Sequence, residues 1–373
     1  DGAISQEVGT DSGVPDLASQ LAHLALPLST GEEAALNAAG TPTVLVQVSG
    51  ERGPSAREKV SANRLQNFGK ATLSSIYALD EAPNIAPSFA ARVSLGHKLL
   101  PGWAVRLLAL ALLLPPLLVC VDAVARLRRR GEPVLRWLVW TFTGALPFLL
   151  SALFVIALGS LGIIAAPAGQ LSAAALSADG SILAATLATA FVLGLALLAW
   201  PALVRRLALP LRPSADGAAL AVLLVLLAVA ALTWIFNPFA CLLLIPALHL
   251  WLLAVGPCRR AEPQARALAY GAIVLGALPP LVLAIVYARE LGLGVGGFAE
   301  SVVLVLAGGQ LGPLSVLLWS VALGCLFTAL LLAPAAETIA VAGDEAWPEI
   351  ATRGPASYAG PGSLGGTESA LRR

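Results

Sequence analysis

Residues Leu107 to Arg130 read LLALALLLPPLLVCVDAVARLRRR, and this stretch decides the class of the protein. Leu107–Ala125 is apolar apart from Asp122, while four arginines (Arg126, Arg128, Arg129 and Arg130) crowd the end. A bilayer core of about 30 Å is crossed by roughly 17–25 apolar residues in a helix. Arginines bunched just past such a segment mark the side that stays in the cytoplasm.

Working outward, six more segments have the same character: Trp137–Leu158, Ile182–Val204, Ala218–Phe236, Phe239–Val255, Ala267–Ala288 and Leu314–Ala333. The expectation is therefore a mainly α, polytopic membrane protein with about seven transmembrane helices. A shorter apolar stretch, Phe298 to Ala307, carries Glu300 and ends in Gly308-Gly309. Its length makes it interfacial or re-entrant rather than spanning.

The connections alternate. Arg126, Arg128, Arg129, Arg130 and Arg136 follow the first segment; Arg205, Arg206 and Arg212 the third; Arg259, Arg260 and Arg266 the fifth. The connections after the second and fourth contain neither lysine nor arginine, and Arg289 alone follows the sixth. By the positive-inside rule the N-terminal portion lies outside and the C-terminus in the cytoplasm of a multi-pass cell-membrane protein.

Composition agrees. Of 373 residues, 58% are apolar and 12% charged, and the mean hydropathy is +0.83. A soluble domain carries about 25% charged residues. The lipid bilayer is the partner this composition requires, and a net charge of +1 offers no field for nucleic acid. Cys120, Cys241, Cys258 and Cys325 sit in or beside apolar segments without metal or disulfide spacing, and read as small core residues. Methionine is absent, even at position 1, so a leader, an earlier helix or a further domain is expected before Asp1.

Residues 1–98 are of mixed polarity and read as the tail end of an α/β domain outside the membrane. Asp16 caps a short helix, Leu17 to Leu26, with Leu17, Leu21 and Leu24 on one face. Gly40-Thr41-Pro42 turns into a strand over Thr43–Val48. Ser61 opens a second helix with Leu65, Phe68, Thr72, Ile76 and Leu79 at helical spacing, and Pro83 and Pro87 end it. Residues 99–336 form the membrane domain. Residues 337–373, rich in Gly, Pro, Ser and acidic side chains, read as a disordered cytoplasmic tail with a short helix around Asp344 to Ile350.

Few residues carry chemistry. Intramembrane ionisable groups are the usual functional suspects, which singles out His249 and Glu300 as a polar site; burial in the helix for one and a headgroup position for the other are the plainer readings. Asp122 and Arg126 have the spacing of a surface pair. Pro115-Pro116, Pro147, Pro246 and Pro279-Pro280 fall inside apolar segments, where prolines sometimes mark unwound transport sites. Asn237-Pro238 reads as a tight turn. No phosphate loop, nucleophile elbow or zinc-type His-Glu motif is present.

The segment Gly31-Glu-Glu-Ala-Ala-Leu-Asn-Ala-Ala-Gly-Thr-Pro42, with the strand Thr43–Val48 and the helix Ser61–Leu79, resembles the end of an M28-type zinc aminopeptidase domain. The family's stretch Ser-Asp-His-x-x-Phe-x-x-Ala-Gly-Ile-Pro delivers its last zinc-ligand histidine. Aligned on Ala39-Gly40-Thr41-Pro42, Leu36 takes the aromatic position and Glu33 the histidine position. Glu33 thus departs from the family's histidine ligand, and the resemblance implies that the remaining ligands lie upstream of Asp1. No cofactor is evident here, and the resemblance implies zinc only in a longer protein. Three functions follow: the membrane-embedded C-terminal portion of an M28-like metallopeptidase-fold protein without an intact zinc site in this chain, which in enzymatic form is an aminopeptidase-type hydrolase acting on an external peptide; a transporter or permease subunit; or a non-enzymatic scaffold for envelope ligands.

Overall fold

A computed structural model describes residues 17–28, 61–81, 92–95, 98–164, 180–210, 215–255 and 265–333. Eleven helices and one hairpin occur among them. Glu33, the Gly31–Pro42 stretch, the strand expected at Thr43–Val48, Cys258, Arg212, Arg259, Arg260 and the segment 337–373 lie outside the described residues.

Two helices precede the membrane region, α1 (Leu17–Ala25) and α2 (Ala62–Asp80). Both match the apolar periodicity of the sequence to within a residue. The stripe on α2 is largely uncovered, with Leu65 and Ile76 exposed and Ala71 buried. The hairpin was not anticipated: β1 (Arg92–Leu95) pairs antiparallel with β2 (Lys98–Pro101), Leu95 opposite Lys98. Pro101 ends the hairpin and is the N-cap of the next helix. Trp103 stands 67% exposed one residue inside that helix, where an amphipathic ring suits a membrane–water boundary.

The membrane region comprises α3 (Gly102–Arg129), α4 (Val134–Ser160), α5 (Gly180–Arg206), α6 (Ala215–Phe236), α7 (Pro238–Val255), α8 (Ala265–Gly276), α9 (Leu278–Glu290), α10 (Val295–Ala307) and α11 (Pro313–Leu332). Five single helices, α3, α4, α5, α6 and α11, are long and apolar enough to cross a bilayer. The pair α8–α9 makes a sixth crossing if its two arms, bent by 47°, form one span. The expectation of about seven is thus met in five to six. The remaining segment, Phe239–Val255, forms α7, whose 18 residues reach about 27 Å at 1.5 Å each, just short of a hydrocarbon core. The stretch around Phe298 is α10, a 13-residue helix far too short to span, packed on α4 and α5.

Lipid tails are as apolar as leucine, so packing rather than hydrophobic sorting holds these helices together. A close approach joins α4 to α11. A Cβ added to Gly324 would lie 2.5 Å from the Ala145 Cα, and one on Gly144 would lie 2.5 Å from Thr328 Cγ2. Only hydrogen at both positions lets the two backbones meet. Buried hydroxyls turn back on their own helices: Thr141 donates to Trp137 O, Ser151 to Pro147 O, Ser320 to Val316 O and Thr328 to Gly324 O. Each thereby avoids the cost of an unpaired polar group in hydrocarbon. α6 is the most enclosed span and α5 the least, its Leu183, Leu187, Phe191 and Leu198 left facing outward.

Most internal prolines leave their helices continuous: Pro115 and Pro116 in α3, Pro147 in α4, Pro201 in α5, Pro246 in α7. Pro279-Pro280 is different, since α8 stops at Gly276 and α9 starts at Leu278. Neither proline offers an N–H to the carbonyl four residues back. Trp251 packs against the end of α8 at the bend: its indole N–H donates to Ile273 O at 3.2 Å, and a Cβ on Gly276 would lie 2.5 Å from its Nε1.

One end of the bundle carries Arg126–Arg130, Arg205 and Arg206. There Arg126 pairs with Asp122, as the i,i+4 spacing foretold, and Arg130 lies 3.5 Å from Asp216. All four side chains are exposed, so each pair contributes at most about 1 kcal/mol. Arg136 bridges to the Ala208 carbonyl, tying the α3–α4 turn to the turn after α5.

Candidate docking site at the opposite end of the bundle

At the other end, α1 lies across the mouths of α7 and α9 and against β1. Its Ala22 and Ala25 are buried with Val93, Val105, Phe239, Ala240, Leu283 and Tyr287 in one apolar cluster. Small residues at i and i+3 let the short helix approach closely.

Asn237 fixes this seat from below. Its Oδ1 accepts from the N–H groups of Phe239 (3.0 Å) and Ala240 (3.1 Å), capping α7. Its Nδ2 donates to the carbonyls of Leu24 (2.9 Å) and Ala25 (3.0 Å), which end α1 and have no helical partner of their own. One side chain therefore satisfies the start of one helix and the finish of another. The sequence suggests a turn at Asn237-Pro238; the second half of the role requires α1, more than two hundred residues away.

From the side, Tyr287 donates its hydroxyl to Leu26 O at 2.5 Å and lies 3.2 Å from His23 Nδ1. The two rings stack edge to face, centroids 5.0 Å apart. His23 Nε2 is 2.9 Å from Glu290 Oε2. Tyr287 and Glu290 are one turn apart on α9, so both reach α1 from a single helix face. Neither His23 nor Glu290 stands out in the sequence, because each draws its meaning from the other across 267 residues. Arg106 and Trp234 add a link from α3 to α6: the indole N–H donates to Arg106 O at 2.8 Å, and the guanidinium sits 5.9 Å from the ring centre.

Beside α1 opens a cavity of about 200 Å³. Ala25, Leu26 and Pro27 lie over it; α6, α7 and the first turns of α11 wall it. No ionisable residue lines it among the described residues.

The residues singled out from sequence alone are not brought together. His249 is half-buried on α7, its Nδ1–H donating to Ile245 O at 3.0 Å, one turn back. That bond accounts for the ring, and no acidic partner joins it among the described residues. Glu300 is half-buried on α10, which packs on α4 and α5, whereas α7 packs on α3, α6 and α8. Cys120, Cys241 and Cys325 are buried thiols. Among the described residues no group of three or more His, Cys, Asp or Glu is placed to hold a metal ion. Comparison with protein-family models, with curated proteins and with solved structures returns no match.

Proposed function

We propose that this polytopic helical membrane protein is a docking platform: the bundle end formed by Asn237, Tyr287 and Glu290 holds the segment that leads out of the membrane, so that an extracytoplasmic domain keeps a fixed pose over the bilayer. The supporting observation is the seat of α1, whose closing carbonyls at Leu24, Ala25 and Leu26 are all taken by side chains of the membrane helices. A tether that merely linked a domain to the membrane would need no such geometry. The Gly31–Pro42 resemblance makes that domain M28-like, with Glu33 where the family has histidine and without an intact zinc site in this chain.

Orientation is the first test. In a Cys258→Ser background, Leu17→Cys and Arg130→Cys place a thiol at exposed positions on opposite ends. A membrane-impermeant maleimide applied to intact cells is expected to label the first and to reach the second only after permeabilisation. The reverse pattern would overturn the external domain and the peptidase-like reading together. The zinc part is tested separately: a coding sequence upstream of Asp1 without a His/Asp/Glu ligand set removes it and leaves the platform.

A transporter is the second reading, and the observation that favours it is the 47° break at Gly276, since interrupted helices are how many transporters build their sites. Solute flux through purified protein in proteoliposomes would support it; the platform requires none.

A further inference from the structure

We infer that the cavity beneath Leu26 and Pro27 is a binding site for a single-chain, uncharged amphiphile: an alkyl chain of about eight carbons bearing a hydroxyl head. Three observations lead there. The first is shape. The walls run from Phe236 up to Val229 on α6 and from Leu314 to Ala322 on α11, so the space extends about two helical turns, or about 11 Å, along the bundle axis. Its 200 Å³ exceeds the 150 Å³ or so that encloses a benzene ring and falls below the usual range for drug-sized ligands. An extended octyl chain has that length and bulk.

The second is the gradient of polarity. Val229, Leu244, Leu318 and Ala322 form the deep part, inside the apolar stretches of α6, α7 and α11. Thr233, Asn237, Gln310 and Ser315 gather toward the end where α1 sits, where α6 ends and α11 begins. A molecule with one apolar end and one polar end is thereby oriented on entry, tail inward.

The third is charge. Among the described residues neither arginine, lysine, histidine nor a carboxylate lines the space, so an ionised head would be stripped of water with no described charge to compensate. A neutral head meets polar neighbours instead: Thr233, Gln310 and Ser315 lie at the rim, and a turn of the Gln310 amide, whose Oε1 is buried without a hydrogen bond, lets a hydroxyl donate to it.

The test uses the full chain in lipid nanodiscs, free of alkyl detergents. A diazirine-bearing octanol is photolysed at increasing concentration and the adducts are mapped by mass spectrometry. Saturable labelling of Leu314–Ala322 or Ala240–Leu244 is expected, at least 5-fold reduced by excess 1-octanol and little affected by sodium octanoate. Ala322→Phe, which fills the deep part, should lower the labelling at least 5-fold; Ala240→Leu serves if that variant fails to fold. Labelling that rises linearly and spreads over the outward leucines of α5 would overturn the site, as would unchanged labelling in a folded filled variant. Equal competition by octanoate would overturn the uncharged head.

Discussion

Asn237 supplies the sharpest prediction, because its amide can be divided chemically. Asn237→Ala removes an N-cap, worth about 1 kcal/mol, and the two bonds from Nδ2 to Leu24 and Ala25, worth about 1 kcal/mol each. The bundle should lose about 3 kcal/mol altogether, of which about 2 belongs to the seating of α1. Two kcal/mol shifts an equilibrium about 30-fold, so amide hydrogen exchange over Leu17–Ala25 should quicken by that factor. Asn237→Asp keeps an acceptor for Phe239 and Ala240 but has no donor for the carbonyls of α1. It should release α1 as fully as the alanine variant while leaving the start of α7 protected. Exchange mapped by mass spectrometry in nanodiscs distinguishes the two. Wild-type protection of Leu17–Ala25 in Asn237→Asp would refute the clamp and leave Asn237 a simple cap.

Gly324→Leu should separate α4 from α11, since even a Cβ there would lie 2.5 Å from Ala145 Cα; a loss of about 1–3 kcal/mol, read as a lowered thermal midpoint, is expected, and an unchanged midpoint would deny the close crossing. Ala208 sits at φ 52°, a left-handed conformation that costs a residue with a Cβ about 1 kcal/mol. Ala208→Gly should therefore raise stability by about that amount in the same assay, and a fall would show that the turn after α5 adopts another conformation.

The membrane helices were legible because lipid acts on composition: a long run without charge, such as Leu107–Val121, means the same thing wherever it occurs. The short helix α1 was legible from its own leucine spacing. The hairpin was overlooked although Gly96-His97 separates two short apolar runs, since four-residue strands carry little periodic signal. His249 and Glu300 drew attention as ionisable groups in apolar surroundings, yet a backbone carbonyl is enough for the first. Tyr287 and Glu290 escaped notice for the opposite reason, and Asn237 was read only as a turn. Each is an ordinary residue near a helix end, and only folding reveals that α1 ends among them. Local chemistry is written locally; a seat for a distant segment is not.

The clasp at Asn237 also sets an order of assembly. Leu24 leaves the ribosome 213 residues before the amide that will hold it. At about 5–20 residues per second, that is a wait of about 10–40 s. During this interval the leading helix has nowhere to sit. It can settle only once the turn between α6 and α7 has been made, so its arrival records that both of those helices are in place.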